Sequence, residues 1–133
     1  MILIDAGPMV ALINSDDRHH EACRSTLKAV HEPIGTVWPA ITEAMYLLNF
    51  SVLAQEALWE LVTAELTILP LGAADFPRMR ELMKKHRDLP MDLGDAALVR
   101  VAEREKVRVI FTIDRKDFTV YRPHRLGRFT LLP

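Results

Sequence analysis

Residues 1–8, Met-Ile-Leu-Ile-Asp-Ala-Gly-Pro, decide how the rest of the chain is read. Ile2-Leu3-Ile4 is a short continuous apolar run, closed by Asp5 and turned sharply by Gly7-Pro8. A run apolar on both faces suits a strand buried within a parallel sheet, where an alternating pattern would mark a half-exposed one. Pro8 fits the first turn of a following helix, Met9 to Ile13. The unit is therefore strand, acid, helix.

The same grammar recurs along the chain. Asp16 and Asp17 can start a helix running from about Arg18 to Val30, with Cys23, Leu27 and Val30 on one face. Ile34 to Val37 reads as a strand, and Pro39 opens a helix through about Asn49. A further helix, about Val52 to Glu65, carries Leu53, Ala57, Leu58, Leu61 and Val62 at helical spacing. Leu66 to Leu69 is a strand ended by Pro70. Ala73 to Arg87 reads as an amphipathic helix with Phe76, Met79, Leu82 and Met83 inward, and Leu93 to Glu105 as another. Arg108 to Thr112 contains the buried strand Val109-Ile110-Phe111, and Arg128 to Leu132 is the last strand. Strands alternating with helices make a parallel sheet with helices on both faces. Right-handed crossovers set the strand C-terminal ends along one edge, where such folds keep their sites.

Composition narrows the classes further. The 133 residues are half hydrophobic and 26% charged, the balance of one globular domain with a sizeable core. Apolar stretches such as Ala44 to Leu48 fall far below the roughly 20 residues of a membrane helix. The opening residues lack a basic leader, so no secretory signal is expected and a cytoplasmic location is. Cys23 alone excludes an internal disulfide or a multi-cysteine zinc site and suits a reducing compartment. The net charge of −1 hides an asymmetry: residues 1–99 hold eight Lys and Arg against 14 Asp and Glu, and residues 100–133 nine against four. A basic end on an acidic body points to a polyanionic partner, or to a solvated helix face with a basic tail.

Several acids fall on the edge where the strands end. Asp5 closes the first strand, and Asp114 follows the strand that ends at Thr112. Glu43 lies early in the helix opened by Pro39, and Asp92 and Asp95 flank the start of the Leu93 helix. Each also has a purely structural reading. Asp5 can cap the next helix, Asp92 and Asp95 approach a capping box, Glu43 can favour a helix dipole, and Asp114 can start the turn Asp114-Arg115-Lys116-Asp117. Helix caps need not converge, whereas these acids would. Two like charges about 4 Å apart repel by about 4 kcal/mol at an effective dielectric of ~20, so protons or a cation must sit among them. Oxygen ligands without a Cys or His cluster favour Mg²⁺ or Mn²⁺. His19 and His20 diverge on a helix, and His31, His86 and His124 are isolated. Such an ion suits phosphodiester hydrolysis. Arg115, Lys116, Arg122, Arg125 and Arg128 can neutralise backbone phosphates, and Tyr121 either stacks on an unpaired base or packs. Trp59, beside Gln55, Glu56 and Thr63, is either an interface anchor or a lid on a neighbouring helix.

In order and spacing these motifs resemble the PIN-domain ribonucleases, and among them the VapC-like toxins of toxin–antitoxin modules. The likeness runs nearly end to end: Ile2-Leu3-Ile4-Asp5, Thr42-Glu43-Ala44, Asp95-Ala96-Ala97-Leu98-Val99, Thr112-Ile113-Asp114 and Asp117-Phe118. It implies a PIN domain over residues 1–133, an α/β fold with five parallel strands in the order 3-2-1-4-5. It also implies a Mg²⁺- or Mn²⁺-dependent endoribonuclease. Asp5, Glu43, Asp95 and Asp114 match the family's acidic quartet, with Asp5, Asp95 and Asp114 on the metal. Asp117 and Thr112 match accessory positions, and Asp92, three residues before Asp95, can face the same ions. RNA, a cognate antitoxin and a second copy of the chain are the implied partners.

Other functions are open at this point. A haloacid-dehalogenase-type hydrolase also ends its first strand in Asp, but wants a second Asp at position 7, which is Gly, and a downstream Lys. A nuclease for structured DNA and a PIN-like module that binds RNA or protein without cutting are the remaining readings.

Overall fold

The computed structural model describes all 133 residues. The strands are β1 (Ile2–Ile4), β2 (Ile34–Thr36), β3 (Leu66–Ile68), β4 (Val109–Phe111) and β5 (Thr130–Leu132). They form one sheet in the order β3-β2-β1-β4-β5, every neighbouring pair parallel, as the resemblance implies. The helices are α1 (Ala6–Ile13), α2 (His20–Ala29), α3 (Trp38–Leu47), α4 (Val52–Glu65), α5 (Phe76–Lys85), α6 (Leu93–Glu105) and α7 (Arg115–Val120), with a 3₁₀ turn at Ala73–Asp75.

The chain moves outward from β1 to β3, then crosses back to β4 on the far side of β1. With right-handed crossovers, this reversal puts α1–α4 on one face and α5–α7 on the other. Accordingly α1 packs on α2, α3 and α4, and α5 packs on α6. β1 and β4 therefore lie side by side at the switch point, with Ile4 level with Phe111. Such a crevice at the strand C-terminal ends is where open α/β sheets bind ligands. Ile2, Leu3, Ile4, Ile110 and Phe111 are buried on both faces, which explains the unbroken apolar runs.

Helix α6 sits deepest. Gly94 through Val99, Val101 and Ala102 are all buried, and the small residues among them let α3 approach as well. A helix buried nearly all round shows little amphipathic stripe.

Some local expectations fail for identifiable reasons. Asp5 caps α1, so the helix begins at Ala6 and Pro8 is its third residue. α2 starts at His20 because the Asp17 carboxylate takes the His19 N–H at 2.8 Å and tightens the preceding turn. Phe76, read as inward, is 54% exposed, and Leu53 is 82% exposed. The segment after Asp114 is a helix rather than a turn.

Asp75 causes the break before α5. It is buried, taking Gly72 N–H at 2.9 Å, Arg100 Nε at 2.8 Å and Arg104 Nη1 at 3.0 Å. Burial opposes its charge, but these donors outweigh it and hold the carboxyl below its ordinary range. The cluster clamps the 3₁₀ turn to α6. Removing one partner of such a pair strands the others, so Asp75→Ala is expected to lower unfolding free energy by about 3 kcal/mol in urea titration.

Candidate active site

Three carboxylates meet at the sheet edge. Asp95, Asp114 and Asp117 each offer an oxygen lying within 4.8 Å of the other two. Asp95 is in the first turn of α6, Asp114 caps α7, and Asp117 stands one turn into α7. The Asp117 N–H points to Asp114 Oδ1 at 3.4 Å. Asp5 stands outside this trio. Its Oδ1 accepts from Ala6 N–H at 2.8 Å, and its Oδ2 accepts from Thr112 Oγ1 at 3.0 Å. Asp5 is nonetheless near enough for its charge to act on Asp95.

Thr112 links both strands of the switch point. Its hydroxyl donates to Asp5 and accepts the Asp114 N–H at 3.0 Å. One buried side chain thus orients the acids that follow β1 and β4. Asp92 has its own task, capping α6 by accepting the Asp95 N–H at 2.8 Å. Glu43 is exposed on α3, across a narrow gap from Asp92. A β-carbon at Gly94 would stand 3.4 Å from Asp92 Oδ1 and 3.9 Å from Glu43 Oε2.

Tyr121 is the partner that reading the residues missed. It is wholly buried, so it cannot stack on a base, and its hydroxyl donates to Asp95 Oδ2 at 2.8 Å. Edge contacts with His86 and Phe118, at 5.0 and 5.1 Å between ring centres, hold the phenol in place. The candidate stacking residues lie elsewhere. A groove of about 630 Å³ opens from Glu43 and Asp92, walled by Trp38, Tyr46 and Leu93. Trp38 and Tyr46 were hidden in an apolar helix; their half-exposed rings follow only from the packing of α3 on α6.

The expected cations divide. Arg115 Nη1 donates to the Pro133 carbonyl, and Arg122 Nη1 to the Thr119, Val120 and Tyr121 carbonyls, so both brace α7 and the chain end. Lys116 and Arg128 are exposed, and Arg125 lines a separate cleft with Lys106. Trp59 is 46% exposed, covered on one side only. Gly7 has no room for a side chain: a β-carbon there would fall 2.6 Å from Ile113 Cγ1. That removes the dehalogenase-type Asp on steric as well as sequence grounds.

Crowding sets the electrostatics. Burial, then the Asp5 charge, pushes the Asp95 carboxyl from 3.8 to about 8 against the Tyr121 hydrogen bond. Burial pushes Asp5 up to about 6, outweighing the Ala6 and Thr112 donors. Glu43 is raised by burial, Asp92 and Asp114; Asp117 by burial and Asp114. For Asp5 and Asp95 the folded state thus keeps protons that the unfolded chain releases. Stability is fullest below about pH 4 and falls as pH rises toward 8. In EDTA, wild-type Tm is expected to fall over that range, while Asp95→Asn flattens the decline and gains about 3 °C or more at pH 8 in differential scanning calorimetry. An unchanged profile in the variant would contradict the crowding.

The PIN domain family model matches residues 2–122. Ribonuclease VapC26 of Mycobacterium tuberculosis is 28% identical over 135 residues, covering 99% of this chain and all of that one. The fold is similar to M. tuberculosis VapC20, described as a sarcin-ricin loop cleaving toxin, with a TM-score of 0.79 at 17% identity over 86% of this chain and 91% of that one. It is also similar to VapBC2 of Rickettsia felis, solved on a fragment of promoter DNA, with a TM-score of 0.68 at 15% identity over the full length of both chains. A toxin–antitoxin complex from Klebsiella pneumoniae gives 0.67 at 18% identity over 90% and 92%. With a family model spanning most of its length and the matching acids gathered on one sheet edge, this chain belongs to the PIN-domain family.

Proposed function

We propose that the protein is a Mg²⁺- or Mn²⁺-dependent endoribonuclease, a VapC-like toxin neutralised by a cognate antitoxin. The convergence of Asp95, Asp114 and Asp117 within ligating range, with Asp5 and Glu43 beside them, carries this reading. The donor set fits a hard divalent ion: it is all oxygen, and its raised carboxyls record negative charge that lacks a counter-ion. Asp95 and Asp114 would hold the ion, with Asp117 or Asp5 completing the set. When bound, the ion supplies acidity to an attacking water and a counter-charge for the phosphate oxygens.

The chain's own residues supply the rest. Thr112 and Tyr121 hold Asp5 and Asp95 by one oxygen each, so neither carboxylate swings when substrate arrives. Glu43, exposed and raised toward neutrality, is suited to pass a proton at its carboxyl as water attacks phosphorus and the P–O bond breaks. Trp38 and Tyr46 offer flat faces for unpaired bases beside the acids, worth about 1–3 kcal/mol per base. The names of the ribonuclease relative and the loop-cleaving neighbour favour RNA as substrate. The toxin–antitoxin neighbours favour a protein partner, and the exposed Phe50, Leu53 and Trp59 give it, or a second copy, a place to bind.

Incubation of the protein with RNA and Mn²⁺ is expected to cut the strand, and EDTA to abolish cutting. Asp95→Asn and Asp114→Asn should each lower the rate by about 10²-fold or more, the range for lost charge stabilisation at a reacting centre. Trp38→Ala should raise KM five- to 100-fold, on the order expected of one lost stacking contact, and leave kcat nearly unchanged. RNA bound yet intact at every metal concentration would replace the nuclease by a non-cleaving module.

A further inference from the structure

The largest cleft, about 690 Å³, is not at the acids. It lies beyond the far end of α6, some 16 Å from Asp95 at 1.5 Å per residue, and is lined by Arg78, Arg100, Glu103, Lys106, His124 and Arg125. Two of its cations are tied down. Arg78 forks onto Glu103 at 2.7 and 3.0 Å and reaches Glu81 at 2.7 Å, and Arg100 pairs with Asp75 at 2.8 Å. Lys106 and Arg125 have no ion-pair partner.

These two residues share a second property. Lys106 (φ 58°) and Arg125 (φ 65°) are the only non-glycine residues with positive φ. Each stands where glycine would be more stable: Lys106 ends α6 in the left-handed conformation, and Arg125 turns the loop after α7. The two strained positions both carry a free cation, and both cations line one cleft. Strain held where a glycine would relieve it marks a position kept for its side chain.

We propose that this cleft binds the phosphodiester backbone of the RNA strand at a distance from the scissile bond. This rests on the nuclease reading above. One segment connects the two sites: Tyr121 bonds Asp95, and three residues on the His124 N–H donates to Glu103 at 2.8 Å. A strand following this segment reaches from the acids to Lys106 and Arg125. The lining favours phosphate over an acidic peptide, because Leu126 is its only apolar residue and offers little to anchor a protein side chain.

The test is the double variant Lys106→Gly with Arg125→Gly, which removes both charges and relieves both strained positions, so Tm should hold or rise. Binding of a fluorescein-labelled single-stranded RNA of about 15 nucleotides is followed by anisotropy in EDTA, across a salt series. The slope of log Kd against log salt should drop by about 1.4, and affinity at 0.1 M salt should weaken about tenfold. With Mn²⁺, kcat/KM should fall for the long RNA and stay unchanged for a trinucleotide too short to reach the cleft. Unchanged slope and affinity would overturn the cleft and leave the nuclease standing. A lowered slope without cleavage by the wild type would overturn the nuclease and leave the cleft. An oligoglutamate that binds as tightly as RNA, and is lost in the same variant, would overturn the assignment to nucleic acid.

Discussion

Repulsion among carboxylates at the end of β1 and β4 is the constraint around which this molecule is built. Charges of one sign about 4 Å apart cost about 4 kcal/mol at an effective dielectric of ~20, a large share of a small domain's stability. The chain bears this cost at the one place where its strands reverse order. It offsets part of it with neutral donors: the Ala6 N–H and Thr112 hydroxyl on Asp5, and the Tyr121 hydroxyl on Asp95. The rest stays as protons on raised carboxyls, which is the signature of a site waiting for a cation.

The order β3-β2-β1-β4-β5 makes the crowding unavoidable. Asp5 and Asp114 follow adjacent parallel strands, so both emerge on the same edge. α6 enters that edge by its N-terminus, bringing Asp92 and Asp95, and its small residues let α3 close in with Glu43. Buried aromatic packing then does a polar task. Tyr121, Phe118 and His86 contact one another edge to face, and the only polar tip aimed at the acids is the phenol.

Much of this was legible in the residues. Continuous apolar runs marked the strands, and their alternation with helices marked a parallel sheet. Acids placed just after strands converge by topology alone, so the positions of Asp5, Asp95 and Asp114 at one edge needed no side-chain detail. Tyr121 was not legible, because its partner lies 26 residues away and a lone Tyr in a basic stretch has no periodic signal. Asp75 escaped for the same reason: its three donors come from a turn and from two positions on α6. Phe76 was misread because periodicity places a ring on a face, and the 3₁₀ turn before α5 shifts that face.

The account stands or falls on whether the gathered acids hold a dication. Crystals soaked in Mn²⁺ and measured at a wavelength where manganese scatters anomalously give a direct reading. The expected result is a peak closer than about 2.6 Å to carboxylate oxygens of Asp95 and Asp114, with Asp117 or Asp5 as a further neighbour. Ordered acids with no peak among them at saturating Mn²⁺ would contradict it.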